Sequence, residues 1–209
     1  MELHLFEDRI VAGQEIVLAD TPARAIYVNA GAVTCNGTVH ECDAGFLADG
    51  AVTITAGSSG ATLWRWDLSH MATEVKGYEA IGKLTGAIPA ELAGGDSFLR
   101  LDSVSFPPGG TAMLHTHQGP GIRCLREGSI RIDTEGTSTS YGPGSAWFET
   151  GPHPVFAQAD HAISSRFIRA TVLPKTLLGQ SSIRYVNEAD KSRPKSQSYH
   201  GFGEIMLSL

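Results

Sequence analysis

Gly109-Gly110-Thr111-Ala112-Met113-Leu114-His115-Thr116-His117-Gln118-Gly119-Pro120-Gly121-Ile122-Arg123-Cys124-Leu125-Arg126-Glu127-Gly128 is the stretch on which the fold turns. Outside its glycines it reads as strand, broken by a bend at Gly119-Pro120-Gly121. Side chains on a strand alternate faces, so His115 and His117 present both imidazoles to one side. Two neutral imidazoles converging on one point are half of a divalent-metal site. Arg123 shares the parity of residues 115, 117 and 121, so a regular strand turns it to the same side.

Working outward, the chain carries an internal repeat. Ala25-Ile-Tyr-Val-Asn-Ala-Gly31 resembles Ile122-Arg-Cys-Leu-Arg-Glu-Gly128, and in both a glycine turn leads into a second strand. The two glycines lie 97 residues apart, as do Gly13 and Gly110. Later, residues 51–56 and 61–66 resemble 154–159 and 164–169 at an offset of 103. Two similar β modules are expected, over 1–70 and 96–173. Residues 71–95 form a connector with a short helix candidate at Met71–Ala80. A C-terminal extension, 174–209, ends in a strand from Tyr199 that must pair with the first module or with a second subunit.

Composition narrows the function classes. At 42% hydrophobic and 18% charged the chain is globular rather than disordered. Its 24 glycines suit many short strands joined by tight turns. A net charge of −6 without a basic run argues against nucleic acid as a partner. No stretch has the apolar length of a membrane span, and Met1–Arg9 lacks the basic start and apolar core of a signal peptide. Cys35, Cys42 and Cys124 have neither zinc spacing nor an even count, so free thiols in a reducing cytoplasm are expected.

The stretch resembles the first motif of the cupins, G-x5-H-x-H-x3/4-E-x6-G. Five residues separate Gly109 from His115 (four separate Gly110 from it), and the closing glycine is Gly128. The second motif, G-x5-P-x-G-x2-H-x3-N, is partly present. Gly144 and Gly151 match, Glu149 replaces the proline, and His153 falls one residue early. With the repeat, the resemblance covers most of the chain. It implies an all-β bicupin of two jelly-roll β-barrel modules. Two departures accompany it: the family's glutamate position is occupied by Gly121, and the first module has Leu18, Asp20 and Arg24 at the ligand positions. That module is expected to be structural.

On this resemblance His115, His117 and His153 are the candidate metal ligands. Two or three imidazoles suit Zn, Fe, Ni, Mn or Cu, and the pattern does not choose among them. Arg123, Gln118 and Glu149 are the candidate substrate contacts. Arg123 needs a buried acceptor: Asp102, Glu149, a backbone carbonyl, or a ligand carboxylate or phosphate. Glu149 is also the only nearby carboxylate able to take the missing glutamate's part. Trp64 and Trp66 share one face of a strand and are expected to bury against another sheet or subunit. The implied function is a metal-dependent enzyme, oxygenase- or isomerase-like, on a small and anionic organic substrate. The alternative is a metal-free, non-catalytic binding barrel. Either is compatible with a homodimer. No residue is assigned a catalytic step.

Overall fold

The computed structural model describes residues 1–70 and 77–208. The first seven strands are β1 (Glu2–Ile10), β2 (Glu15–Leu18), β3 (Ala23–Cys35), β4 (Thr38–Glu41), β5 (Gly45–Ala48), β6 (Val52–Ser69) and β7 (Glu79–Ala87). They form one antiparallel sheet in the order β4-β3-β6-β1-β7, with β2 on β6 and β5 on β3. β3 and β6 are long enough to serve two layers. β6 pairs β2 through Val52–Thr55 and β1 through Ala61–Ser69, while β3 pairs β5 and then β4. The sheet therefore folds over itself and encloses an apolar core that includes Ile10, Ile26, Val28, Ile54 and Leu63.

The second half contains β8 (Ser97–Phe106), β9 (Thr111–His117), β10 (Gly121–Glu127), β11 (Ile130–Thr134), β12 (Thr137–Tyr141), β13 (Ala146–Glu149), β14 (Val155–Ala159), β15 (Ser165–Pro174), β16 (Ile183–Tyr185) and β17 (Ser198–Met206). They make two five-stranded sheets, β13-β10-β15-β8-β17 and β12-β11-β14-β9-β16. The inner faces meet over Val104, Phe106, Leu125, Ile132, Trp147 and Phe167.

The strand period of two explains how the halves join. On β15, Phe167 and Arg169 face the inside of the second module. Ile168, Ala170 and Val172 face outward and pack, with Leu99, Leu101, Ile122 and Cys124, against Leu3, Leu5, Tyr27, Trp64 and Trp66 of the first. Trp64 and Trp66 do share a face, and it is sealed by the other module of the same chain. Burying an indole removes about 150–250 Å² from water, roughly 4–6 kcal/mol for each ring.

The repeat shows in the turns. Gly31 and Gly128 hold φ of +74° and +78°, and a Cβ there would come 2.0 Å from the carbonyl oxygen of Gly60 and 2.2 Å from that of Ser164. Only glycine admits that approach in the left-handed region. The two carbonyls are spaced one residue more than the 103 read from sequence, and the conformational counterpart of Gly13 (φ +69°) is Gly109 (φ +68°), not Gly110.

Two sequence expectations require correction. Most of the helix candidate Met71–Ala80 lies outside the described residues, and Glu79–Ala80 begin β7, which pairs with β1. The described connector is thus mainly a strand, plus a one-turn 3-10 segment at Ala90–Leu92. The terminal strand does not pair with a strand of the first module. β17 lies antiparallel on β8, Ser198 opposite Ser105 and Met206 opposite Phe98, so one edge of it is hydrogen-bonded within the second module.

Candidate functional site

Four strands bring the site together. β9 carries His115 and His117; β10 lies beside β13 with Gly121 opposite Glu149 and Arg123 opposite Trp147. β16 covers β9, with Ile183 opposite His117. The register of β10 on β13 decides the chemistry. Gly121, without a side chain, faces a glutamate on the neighbouring strand, so a carboxylate reaches the centre from β13.

His115 and His117 are 4% and 6% exposed, and their Nε2 atoms lie 3.2 Å apart. His117 Nε2 is 3.3 Å from Glu149 Oε2. Arg123 Nη2 touches the same oxygen at 2.7 Å, while its Nη1 donates to the Gly121 carbonyl at 2.6 Å. The Nη2 contact lacks hydrogen-bond alignment, which leaves Arg123 Nη2 and Glu149 Oε2 as buried polar atoms without a bonded partner. The indole N–H of Trp147 donates to Glu149 Oε1 at 2.8 Å. On the far wall Arg169 grips Asp102 through Nε and Nη2, at 2.8 and 2.7 Å. The cavity among these groups is about 20 Å³, room for one water or one ion.

Local bonds fix the imidazoles. His115 Nδ1 lies 2.7 Å from the Met113 carbonyl, which can only accept, so the proton is on Nδ1 and Nε2 is bare. His117 Nδ1 is 3.4 Å from the Ser182 hydroxyl, which can either donate or accept. With the His117 proton on Nε2, that N–H faces His115 Nε2 and Glu149. With it on Nδ1, Ser182 accepts and both Nε2 lone pairs are free.

Burial sets the protonation states. It pushes His115 down and His117 down to about 3, so both rings are neutral at pH 7. Burial lowers Arg123 to about 10, which still leaves it charged. It would raise Glu149, but Arg123, then His117 and Trp147, hold that carboxyl well below the usual range. The unfolded chain therefore takes up a proton on each imidazole near pH 6.5 that the folded, metal-free chain refuses until near pH 3 at His117. Stability from this source is complete above pH 6.5 and falls as pH drops, by about 1.4 kcal/mol per pH unit at His117. Urea unfolding of chelator-treated protein from pH 7 to 4.5 checks this; the slope should flatten in His117→Gln. Equal slopes in the two proteins would refute the assignment.

Among the described residues no three His, Cys, Asp or Glu side chains stand as an open cage of metal donors. Arg123 lies against the same Glu149 oxygen that faces His117. Taken pair by pair, the donor spacings are those of two ligands on one divalent ion. Two ligands about 2.1 Å from one ion and 90–110° apart stand about 3.0–3.4 Å from each other, and both the 3.2 Å and the 3.3 Å spacings match.

No protein-family model and no curated protein sequence matches the chain. Solved structures do. A cupin 2 conserved barrel domain protein from Leptotrichia buccalis aligns with TM-score 0.51 at 13% identity, over 81% of this chain and 82% of that one. An oxalate decarboxylase from Lactobacillus farciminis, in a formate complex, aligns with TM-score 0.63 at 10% identity, over 92% and 82%. A salicylate 1,2-dioxygenase variant from Pseudoaminobacter salicylatoxidans, in complex with gentisate, gives 0.58 at 11%, over 87% and 71%.

The fold is that of the cupins.

In this barrel His115, His117, Arg123 and Glu149 converge, and two expected residues do not join them. His153 sits on the turn before β14 with its side chain 52% exposed and its Nδ1 3.3 Å from Glu135. Pro152 and Pro154 hold it there, and the β14 residue opposite His115 is Val155, which has no donor. Gln118 turns toward the C-terminal segment, where its backbone N–H and side-chain Nε2 meet the Ser182 carbonyl at 3.1 and 3.5 Å. The protein groups nearest the Glu149 carboxylate are Arg123, His117 and Trp147. Sequence reasoning did not find Ser182 or Arg169 as neighbours of the centre, and Asp102, a candidate acceptor for Arg123, pairs with Arg169 instead. Ser182 lies in a polar stretch with no motif, and only the pairing of β16 with β9 brings it to His117.

In the first module one of the three ligand positions, Arg24, belongs to a buried ion group. Arg24 Nε donates to Asp67 Oδ1 at 2.6 Å, and Arg65 Nε donates to Asp8 Oδ2 at 2.6 Å. Arg65 also contacts Asp67. All four side chains are fully buried.

Proposed function

We propose that this protein is a metal-dependent cupin enzyme that acts on a small anionic organic substrate, with His115 and His117 as the metal ligands and Glu149 as the adjoining carboxylate. The observation that carries this is the bare Nε2 of His115 facing His117 Nε2 at 3.2 Å, inside a cavity sized for one ion. Two histidines and a carboxylate suit Fe, Mn, Ni, Zn or Cu, and leave positions free for substrate. Such an ion, when bound, would supply Lewis-acid or oxygen-activating chemistry. The chain's own part is to keep both imidazoles neutral by burial, to hold the His115 tautomer through Met113, and to let the His117 proton pass to Nδ1 beside Ser182. Arg123 balances the charge of Glu149. Oxygenase-like and isomerase-like chemistry are both open to this donor set.

Arg123 also favours a second assignment: a metal-free barrel that binds a small anion without turnover, with the guanidinium as anchor. Elemental analysis of untagged protein separates the two, beside thermal melts with and without Fe(II), Mn(II), Ni(II), Zn(II) and Cu(II). An ion at 100 times its dissociation constant adds about 2.7 kcal/mol, roughly 5–10 °C for a chain of this length. Near-stoichiometric metal in the wild type and none in His115→Ala/His117→Ala is the expected result. Identical melts of chelated and loaded protein would leave the binding barrel.

The proposal extends to setting and assembly. Cys35, Cys42 and Cys124 are all unpaired, which supports a reducing cytoplasm. No described helix is long and apolar enough to cross a membrane. Exposed Val11, Val17, Val39 and Ile81 offer apolar surface for a second copy in a homodimer. Neither nucleic acid nor membrane is a proposed partner.

A further inference from the structure

A cavity of 20 Å³ admits an ion but no organic molecule, so a substrate must sit elsewhere and reach it. A chamber of about 500 Å³ lies next to it, between the inner face of β8 and β15 and the C-terminal extension. Arg169, Ile183 and Tyr199 line both spaces, so these three side chains are the partition between them. Its volume falls in the range of small-molecule sites.

The lining specifies the ligand class. Arg100 donates to Glu204 and to the Leu177 carbonyl, at 2.7 and 2.8 Å, and Arg169 is paired with Asp102. Among the described residues the exposed Lys195 has no carboxylate partner; its Nζ lies 5.8 Å from the centre of the Tyr185 ring. Three cations against two carboxylates leave one positive charge uncompensated. Ile183, Tyr199 and Phe202 supply apolar surface in the same chamber. One unpaired ammonium beside apolar walls selects a singly charged anion with an apolar body.

We propose that this chamber binds a small organic monocarboxylate, its carboxylate paired with Lys195 and its far end against the Arg169–Tyr199–Ile183 partition beside His115 and His117. What happens at that far end rests on the metal-centre proposal; the binding does not. The C-terminal extension thereby acquires a role in substrate selection that the barrel motifs do not carry.

The test is calorimetric binding of benzoate and hexanoate to the full chain treated with chelator, with benzamide and hexanamide as uncharged isosteres. The acids should bind at least tenfold more tightly than the amides, and Lys195→Gln should remove that preference. Gly201→Phe blocks the chamber by bulk. A Cβ at Gly201 meets nothing within 4 Å, so the variant should melt like the wild type and lose acid binding at least tenfold. The His115→Ala/His117→Ala protein should keep it. No acid binding, equal binding of acids and amides, or full binding in a folded Gly201→Phe protein would overturn the chamber. Binding lost only in the histidine variant would overturn it too, by moving the carboxylate to the imidazoles, while leaving the metal proposal intact. Acid binding retained in a chain that takes up no metal would do the reverse.

Discussion

Asp67→Asn is expected to destabilise the chain by about 3–5 kcal/mol, the usual cost of leaving a buried charge without its partner. Asp67 is fully buried between Arg24 and Arg65, and Asp8 completes a group of two cations and two carboxylates. Among the described residues its two cations and two carboxylates match in charge. An amide at 67 keeps the volume but leaves one guanidinium charge uncompensated inside the first module. For a chain of about 200 residues each kcal/mol moves the melting midpoint by about 2–4 °C, so a fall of roughly 10 °C should appear in a thermal melt. Arg24→Met/Asp67→Leu is the informative companion, because it removes one charge of each sign and leaves Arg65 paired with Asp8. If charge balance is what matters, the double variant loses much less than Asp67→Asn. If it loses as much or more, the specific hydrogen bonds matter instead. Both should leave metal uptake by the second module unchanged.

The same comparison shows what could be read from the chain in advance. Gly31 and Gly128 announce the repeat because a positive φ under a close carbonyl tolerates one residue type, and such a constraint survives in the letters. His115 and His117 are legible because strand alternation is local. Glu149 is a different case. Its place opposite Gly121 depends on the register of β10 on β13, set by the β11–β12 hairpin that intervenes, and no local period encodes it. A carboxylate thus reaches the centre from the neighbouring strand. His153 lies apart for the converse reason: near-motif spacing along the chain says little where two prolines flank a turn at the surface. β17 was legible as a strand but not in its partner, since the free edge of β8 exists only once the sheet has formed. The degenerate first module was readable as lacking ligands, but not as containing a balanced ion group. That requires Asp8, Arg24, Arg65 and Asp67, scattered over three strands, to meet inside one fold.

Arg123→Met should weaken the metal-free protein and strengthen its hold on a divalent ion. Arg123 is 1% exposed and is the cation nearest to Glu149, so its loss strands a buried carboxylate at a cost of about 3–5 kcal/mol. Methionine fills much of the stem's volume, which keeps the cavity term small. The same change frees the Glu149 oxygen that lies 3.3 Å from His117 Nε2, and removes a positive charge that opposes a second cation. A bound ion then supplies what the guanidinium supplied. The gap between loaded and chelated melting midpoints should therefore be wider in Arg123→Met than in the wild type, with affinity raised at least tenfold. The comparison also separates the two functional assignments. If Arg123 anchors an anion in a metal-free barrel, the variant is destabilised and no ion restores it. If the guanidinium is the countercharge that stands by Glu149 until a metal arrives, ion binding returns most of the lost stability. Adding Glu149→Gln to Arg123→Met should then restore the metal-free protein toward wild-type stability while cancelling the gain in ion affinity, because both changes act through one carboxylate.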